Sequence, residues 1–342
     1  ILYLIDCYEG MLKPNTLREH ALVVSFFPTV TMGPIIRVKN VLTQFQETAN
    51  KGISLEQLAP SIVLFSIGLF KKVVIADSFA IIADIGYASV SNLSTIMAWV
   101  ISLSFTMQLY FDFSGYSDMA IAIAMALGIK IPINFNSPYK SKSIVEFWQR
   151  MHISLTTIIT TYVYTPIVRS FKKITFKKAM LATVISMTIM GIWHGSTINF
   201  VIFGFMHGVG LVINHYWQKK TKIKLPNFIA WALTLTYVNV AFIFFRAESI
   251  SDSTAVLSSL INFEYVMSLA IFKNNLALEQ TLPIIFSVMM GLIAISSGKN
   301  SNQIIEKFQF STKELVLVSF LVVISLIYLS SNVSTGFIYY AF

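Results

Sequence analysis

Residues 179–217 read AMLATVISMTIMGIWHGSTINFVIFGFMHGVGLVINHYW, a run with no acid, lysine or arginine. Cations bracket it on both sides: Arg169, Lys172, Lys173, Lys177 and Lys178 before, and Lys219, Lys220, Lys222 and Lys224 after. A helix needs about 20 apolar residues to cross a hydrocarbon core of ~30 Å. The stretch therefore predicts two spans that go out and come back, with GIWHGST at the turn. Cations gathered in short loops mark the cytoplasmic side, so both basic loops are expected to face the cytoplasm. Counted from Lys178 at about 1.5 Å per residue, His194 then lies about 24 Å in, deep in the membrane. Gly191 and Gly195 bracket the Trp193-His194 pair, which suits a tight reversal or a close helix contact.

The rest of the chain agrees with a lipid environment. Of 342 residues, 55% are hydrophobic and 12% charged, against roughly 25% charged in an average soluble domain. The mean hydropathy is +0.70, and the apolar residues exceed what one core can hide from water. A soluble globule, a disordered chain, a collagen-like repeat, a coiled coil and a disulfide-stapled domain are excluded. Cys7 is the only cysteine. The net charge of +9 is explained by the loop cations and requires no nucleic acid. Further spans are expected near 95–113, 228–245, 281–297 and 314–330, with shorter or interrupted apolar pieces near 21–36, 59–70, 73–90 and 118–129. Pro28, Gly33 and Pro34 interrupt SFFPTVTMGPIIR, where freed backbone groups must be met by protein or water, as in a broken or re-entrant element lining a cavity. In the same orientation 246–253 is external, 254–272 lies along the membrane surface as an amphipathic helix, and 298–313 is cytoplasmic. The opening ILYLIDCYEG reads as the tail of an apolar segment, so further N-terminal transmembrane helices are expected upstream. The expected fold is all-α: a polytopic integral membrane protein with broken helices around a central cavity, residues 1–342 forming a single membrane domain.

Ionisable groups inside a bilayer are costly and mark functional sites first. In QLYFDFSGYSDMA, Asp112, Ser114, Tyr116 and Asp118 interrupt a lipid-like run, with Gly115 expected to break it. Asp112 and Asp118 are six residues apart, about 240° around a helix, so they do not form a carboxylate dyad. Capping of broken helix ends is the competing role for these groups. In NFNSPYKSKSIVEFWQRMHISL, Glu146 and Arg150 can pair at i,i+4 while Phe147 and Trp148 suit the interfacial belt, so the isolated pattern fits a surface-lying helix. In GIWHGSTINF, His194 is the only ionisable residue between Lys178 and His207. A neutral imidazole can take a proton from a hydroxyl and return it, which makes His194 a general-base candidate. A histidine that ties two helices together is the alternative. His207 is expected to pack or hydrogen-bond, and His215 to be interfacial. No HExxH spacing is present, no thiolate pair is available and no GxSxG occurs, so metal and serine-hydrolase chemistry are unsupported.

These stretches, in order, resemble the membrane-bound O-acyltransferase (MBOAT) family, in the bacterial branch that includes alginate O-acetyltransferase. The matching segments are YLIDCYEG at the start, SFFPTVTMGPIIR (25–37), QLYFDFSGYSDMAIA (108–122), NFNSPY (134–139), EFWQRMHISL (146–155), YVYTP (162–166), GIWHG (191–195) and FFRAES (244–249). The resemblance implies an O-acyltransferase whose helices surround a constriction, with His194 as the family's catalytic histidine and His152 as its second. It implies acetyl-CoA as acyl donor from the cytoplasm with no cofactor bound. The implied acceptor is a hydroxyl on an extracytoplasmic polysaccharide, such as alginate, or on an acetyl-relay protein. The implied location is the bacterial cytoplasmic (inner) membrane, where membrane lipid surrounds the chain. Asp112, Ser114, Tyr116, Asp118, Trp193 and Arg150 are the expected substrate-binding residues, with hydroxyl or backbone donors near Ser114 and Tyr116 as oxyanion stabilisers. Departures from the family pattern are Met151 in its RWH element, Thr161 before the YxYxP tyrosine, and PIVR at 166–169. A D-alanyl-type transferase for teichoic acids and a polysaccharide transporter or flippase are the alternatives, the latter opposed by the absence of an evident inverted repeat.

Overall fold

Backbone amides inside lipid have no water to bond, so an apolar chain of this kind satisfies them within helices. A computed structural model describes residues 2–48, 54–91, 93–221, 223–262, 278–309, 311–331 and 336–337. The described residues form helices and no strand. The first four helices are short: α1 (Leu2–Tyr8), α2 (Leu17–Val24), α3 (Phe27–Val30) and α4 (Val38–Thr48). A long antiparallel pair follows. Helix α5 (Leu55–Phe70) continues through a π-helical turn (Lys71–Ala76) into α6 (Asp77–Tyr87), and α7 (Thr95–Ala126) returns beside it. Next come α8 (Ile144–Arg150), α9 (Ile153–Ile159), a second π-helical turn (Thr160–Tyr164) and α10 (Thr165–Arg169). The predicted hairpin is α11 (Phe176–His194) and α12 (Ile198–Lys220), followed by α13 (Asn227–Arg246) and α14 (Ile250–Ile261). The last are α15 (Leu278–Ser297), α16 (Ser301–Ile305) and α17 (Thr312–Ser330).

Among the described residues six elements are long and apolar enough to cross a membrane: Leu55–Tyr87, Thr95–Ala126, Phe176–His194, Ile198–Lys220, Asn227–Arg246 and Thr312–Ser330; the span expected near 281–297 is not among them, Leu282–Ser297 of α15 being a shorter apolar helix. The interrupted piece at 21–36 is broken as expected. Pro28 sits in the first turn of the four-residue α3, and residues 31–37 carry no helix. Three expectations change. The pieces 59–70 and 73–90 are one continuous element, and 118–129 is largely the end of α7. Gly115 does not break α7. It is instead a point of contact, because a Cβ there would lie 2.6 Å from the Gly68 carbonyl oxygen, and one at Gly68 equally close to that of Gly115. Of the helix expected at 254–272, residues up to 261 belong to α14, which packs on α7 with Val256 and Leu260 buried, and residues 263–272 lie outside the described residues.

The close α5–α7 approach lets charge enter the bundle. The π-helical turn presents Lys71 and Lys72 toward α7, where Lys71 Nζ lies 2.7 Å from Asp118 and Lys72 Nζ lies 3.0 Å from Asp112; Lys72 Nζ also lies 2.6 Å from Asp77 at the start of α6. All three carboxylates are buried. Ser301 of α16 also donates to Asp118 and accepts from Lys71, fixing the loop before α17 to the same network. Removing one partner of such a pair leaves a charge stranded. Lys72→Met is expected to destabilise the protein by about 3–5 kcal/mol, and Gly115→Leu to separate α5 from α7; thermal unfolding in detergent measures both.

Candidate active site

Helix α8 ends at Arg150 and α9 begins at Ile153, and the residue between them that starts α9 is His152, at φ 45°. This left-handed conformation costs an L-residue roughly 1–2 kcal/mol, so neighbouring structure must impose it. The preceding segment, Asn134 to Asn136, does so. The Asn134 carbonyl accepts from the Ile153 N–H at 3.0 Å, and the Asn134 Oδ1 accepts from the Ser154 N–H at 3.1 Å. Asn136 N–H donates to the Arg150 carbonyl at 2.9 Å. Asn134 is fully buried and acts as the cap that α9 lacks locally. The Ser154 hydroxyl in turn accepts from the Ile35 N–H at 3.1 Å, which ties the break to the unwound segment after α3.

The His152 ring is buried, edge-on to Phe113 at 4.6 Å and stacked toward Phe135 at 6.5 Å, and its Nδ1 has no hydrogen-bond partner. It faces a cavity of about 460 Å³ lined also by Trp193, Phe113 and the unwound residues after α3. His194 closes α11, half-buried, with ring neighbours Trp193 at 4.9 Å, Phe245 at 5.1 Å and Phe203 at 6.2 Å. Its neighbour Trp193 lines the same cavity as His152, while His194 itself is not among the lining residues. The hairpin that carries His194 is held by near-contact of backbones, since a Cβ on Gly191 would sit 2.2 Å from the Phe200 carbonyl oxygen and one on Gly204 2.3 Å from that of Met187. The structure thus brings His152 and the Trp193-His194 segment, far apart in the sequence, to one cavity through His152 and Trp193.

The other predicted residues divide. Trp193 lines the cavity and stays 60% exposed. The Tyr116 hydroxyl is hydrogen-bonded to that of Thr31, itself a cavity residue, and its ring lies against Phe337. Ser114 is buried with no partner for its hydroxyl and is not among the lining residues. Asp112 and Asp118 are held by Lys72 and Lys71, and Arg150 by Glu146 at 2.8 Å and the Asn136 carbonyl; none of the three lines the cavity. Helix α8 is not a surface helix, because Phe147 and Trp148 are buried. Its Trp148 indole N–H donates to His207 Nδ1 at 3.2 Å, the packing role expected of that histidine.

Sequence reasoning missed two elements of the site. Asn134 lies inside NFNSPY but nineteen and twenty positions from the amides it caps, beyond any local capping spacing. The second is a buried junction at the cavity edge: Asp6 accepts from Arg37 Nη2 at 3.0 Å and from the Tyr162 hydroxyl at 2.5 Å. Burial, helped by the hydrogen bond to Asp6, pushes the Tyr162 phenol pKa up. Burial alone would lower that of Arg37, but Asp6 and Tyr162 together raise it.

These features define a polytopic helical membrane protein in which a buried imidazole, that of His152, and Trp193 beside His194 line one cavity. A profile of the MBOAT, membrane-bound O-acyltransferase family matches residues 19–251, and the chain belongs to that family. It is 40% identical to the peptidoglycan O-acetyltransferase of Helicobacter pylori over 253 residues, 72% of this chain and 47% of that one. It is 35% identical to the probable alginate O-acetylase AlgI of Pseudomonas aeruginosa over 266 residues, 77% of this chain and 50% of that one. It is 33% identical to the teichoic acid D-alanyltransferase of Streptococcus thermophilus over 231 residues, 64% of this chain and 55% of that one. The chain spans about half the length of these relatives.

Asn134→Leu removes the cap of α9 and is expected to cost about 1–2 kcal/mol, while Asn134→Asp, which keeps an acceptor, costs less. Thermal unfolding of the two variants side by side checks this.

Proposed function

We propose that the protein moves an acetyl group from acetyl-CoA on the cytoplasmic side to a hydroxyl presented on the other side of a bacterial inner membrane. The observation that carries this is the convergence of His152 and the Trp193-His194 segment on one cavity, which His152 and Trp193 line, in a chain of an O-acyltransferase family. His194 accepts the proton of the attacking hydroxyl as that oxygen bonds to the thioester carbonyl carbon. When the tetrahedral intermediate collapses, the C–S bond breaks and the same imidazole returns the proton to the departing thiolate. Held by the Asn134 cap, His152 positions His194 or a reactant. The developing oxyanion needs donors in a water-poor site, and the hydroxyl of Thr31 in the cavity lining, with Tyr116 bonded behind it, is a better candidate than that of Ser114. Asp112, Asp118 and Arg150 support the frame through their ion pairs, and Trp193 contacts a reactant.

The acceptor is a cell-surface glycan or a relay protein that hands the acetyl group on. The names of the Helicobacter and Pseudomonas relatives support a glycan. The Streptococcus relative supports a second reading, D-alanyl transfer to teichoic acid, which donor identity separates from the first.

With the full-length protein and radiolabelled acetyl-CoA, His194→Ala is expected to lower acyl transfer by about 10²–10⁴-fold, the usual contribution of a general base, with the unfolding midpoint retained. Unchanged transfer refutes the assignment. His152→Ala is expected to lower transfer as well. In a deletion strain, ester analysis of surface polysaccharides is expected to show loss of O-acetyl groups from one polymer, which names the acceptor.

A further inference from the structure

The bundle carries a second cavity of about 300 Å³, a groove between α8 and α9 on one side and α11 and α12 on the other. Met180, Thr183, Met187 and Met190 form its α11 wall, and at i, i+3, i+7 and i+10 they share one helical face for about 15 Å. Trp148, Leu155 and Met190 are buried at its floor, while Gln149 and Thr160 at the rim are exposed, so the groove opens outward. Neither His152 nor His194 lines it, which argues against a route for the thioester. A long apolar groove walled by methionines adapts to a flexible hydrocarbon chain.

One end of this groove is basic. His215 lines it, and one turn further along α12 the Lys219 ammonium stands 4.0 Å from the centre of the Phe176 ring, which lies edge-on to Tyr216 at 4.8 Å. Phe176 lies on the α11 face that walls the groove, whereas Lys178, over Phe171 at 5.2 Å, lies roughly 145° around the helix and faces away from it. From residue 147 to residue 247 the chain has eleven Lys and Arg and no Asp or Glu, and among the described residues Lys219 has no carboxylate partner. An apolar groove ending beside an uncompensated cation matches a ligand with an acyl chain and an anionic head.

We infer that this groove binds one anionic phospholipid, with its acyl chain along α11 and its phosphate at Lys219. The lipid seals the wall between the second π-helical turn and the α11–α12 hairpin. This site is independent of the acyl-transfer chemistry.

The test is thermal unfolding of the delipidated full-length protein in neutral detergent, titrated separately with phosphatidylglycerol, phosphatidylcholine, inorganic phosphate and coenzyme A. Phosphatidylglycerol is expected to raise the midpoint saturably, and the other three to leave it nearly unchanged. Lys219→Gln is expected to weaken the phosphatidylglycerol response about fivefold, the usual worth of one lysine near an anionic headgroup, while Lys178→Gln, on the other face of α11, leaves it unchanged. Thr183→Phe, which fills the groove from a half-buried wall position, weakens it independently of charge. An equal response to phosphatidylcholine overturns the inference in favour of unspecific adsorption. A response to phosphate or coenzyme A that blocks phosphatidylglycerol reassigns the mouth to a soluble anion. Unchanged phosphatidylglycerol affinity in both Lys219→Gln and Thr183→Phe removes the site altogether.

Discussion

A backbone amide left open in hydrocarbon costs several kcal/mol, and the structure around the two histidines follows from that one constraint. Placing an imidazole at the meeting point of α8 and α9 requires a break between two helices, and a break exposes the first amides of the second helix. Asn134 closes them from another part of the chain, once with its carbonyl and once with its side chain. The same segment is bonded to Arg150 on the other side of the break. His152 is thereby fixed in a conformation it would not adopt alone, with one ring nitrogen left unbonded beside the cavity. The unwound residues after α3 are treated similarly, with Ser154 and the Asp6 junction closing part of their polar groups.

Buried charge serves the frame rather than the cavity. The pairing of Lys71 and Lys72 with three carboxylates depends on a π-helical turn, which alters helical phase, and on two glycines that bring α5 and α7 into contact. Ion pairs of this kind add little net stability but penalise any misplacement of the helices that carry them. The long α7, which provides Phe113 against His152 and Tyr116 bonded to the cavity residue Thr31, is therefore held in register by groups distant from the histidines.

The parts of the fold readable from the sequence are those governed by local periodicity and solvent. The uncharged run at 179–217 folds as the hairpin α11–α12, and the proline and glycine pattern in 25–37 becomes an unwound cavity wall. What was not readable depends on distant partners. A glycine in a helix can mark either a break or a close contact, and only the position of Gly68 decides for Gly115. Lys71 and Lys72 divide one element into two apparent pieces because their carboxylates lie on other turns and another helix. Helix α8 carries the aromatics of an interfacial helix, yet its Trp148 has a buried histidine to bond. Among the site residues, His152, His194 and Trp193 were identified by motif, whereas Asn134 has no local spacing that marks it as the cap.

The most direct measurement is an experimental structure of the full-length protein with a non-hydrolysable thioether analogue of acetyl-CoA. The account predicts the acetyl carbon inside the 460 Å³ cavity, with an imidazole of the histidine pair within about 3 Å of the position of the attacking hydroxyl. An analogue bound elsewhere, with lipid tails filling the cavity around His152, would contradict it.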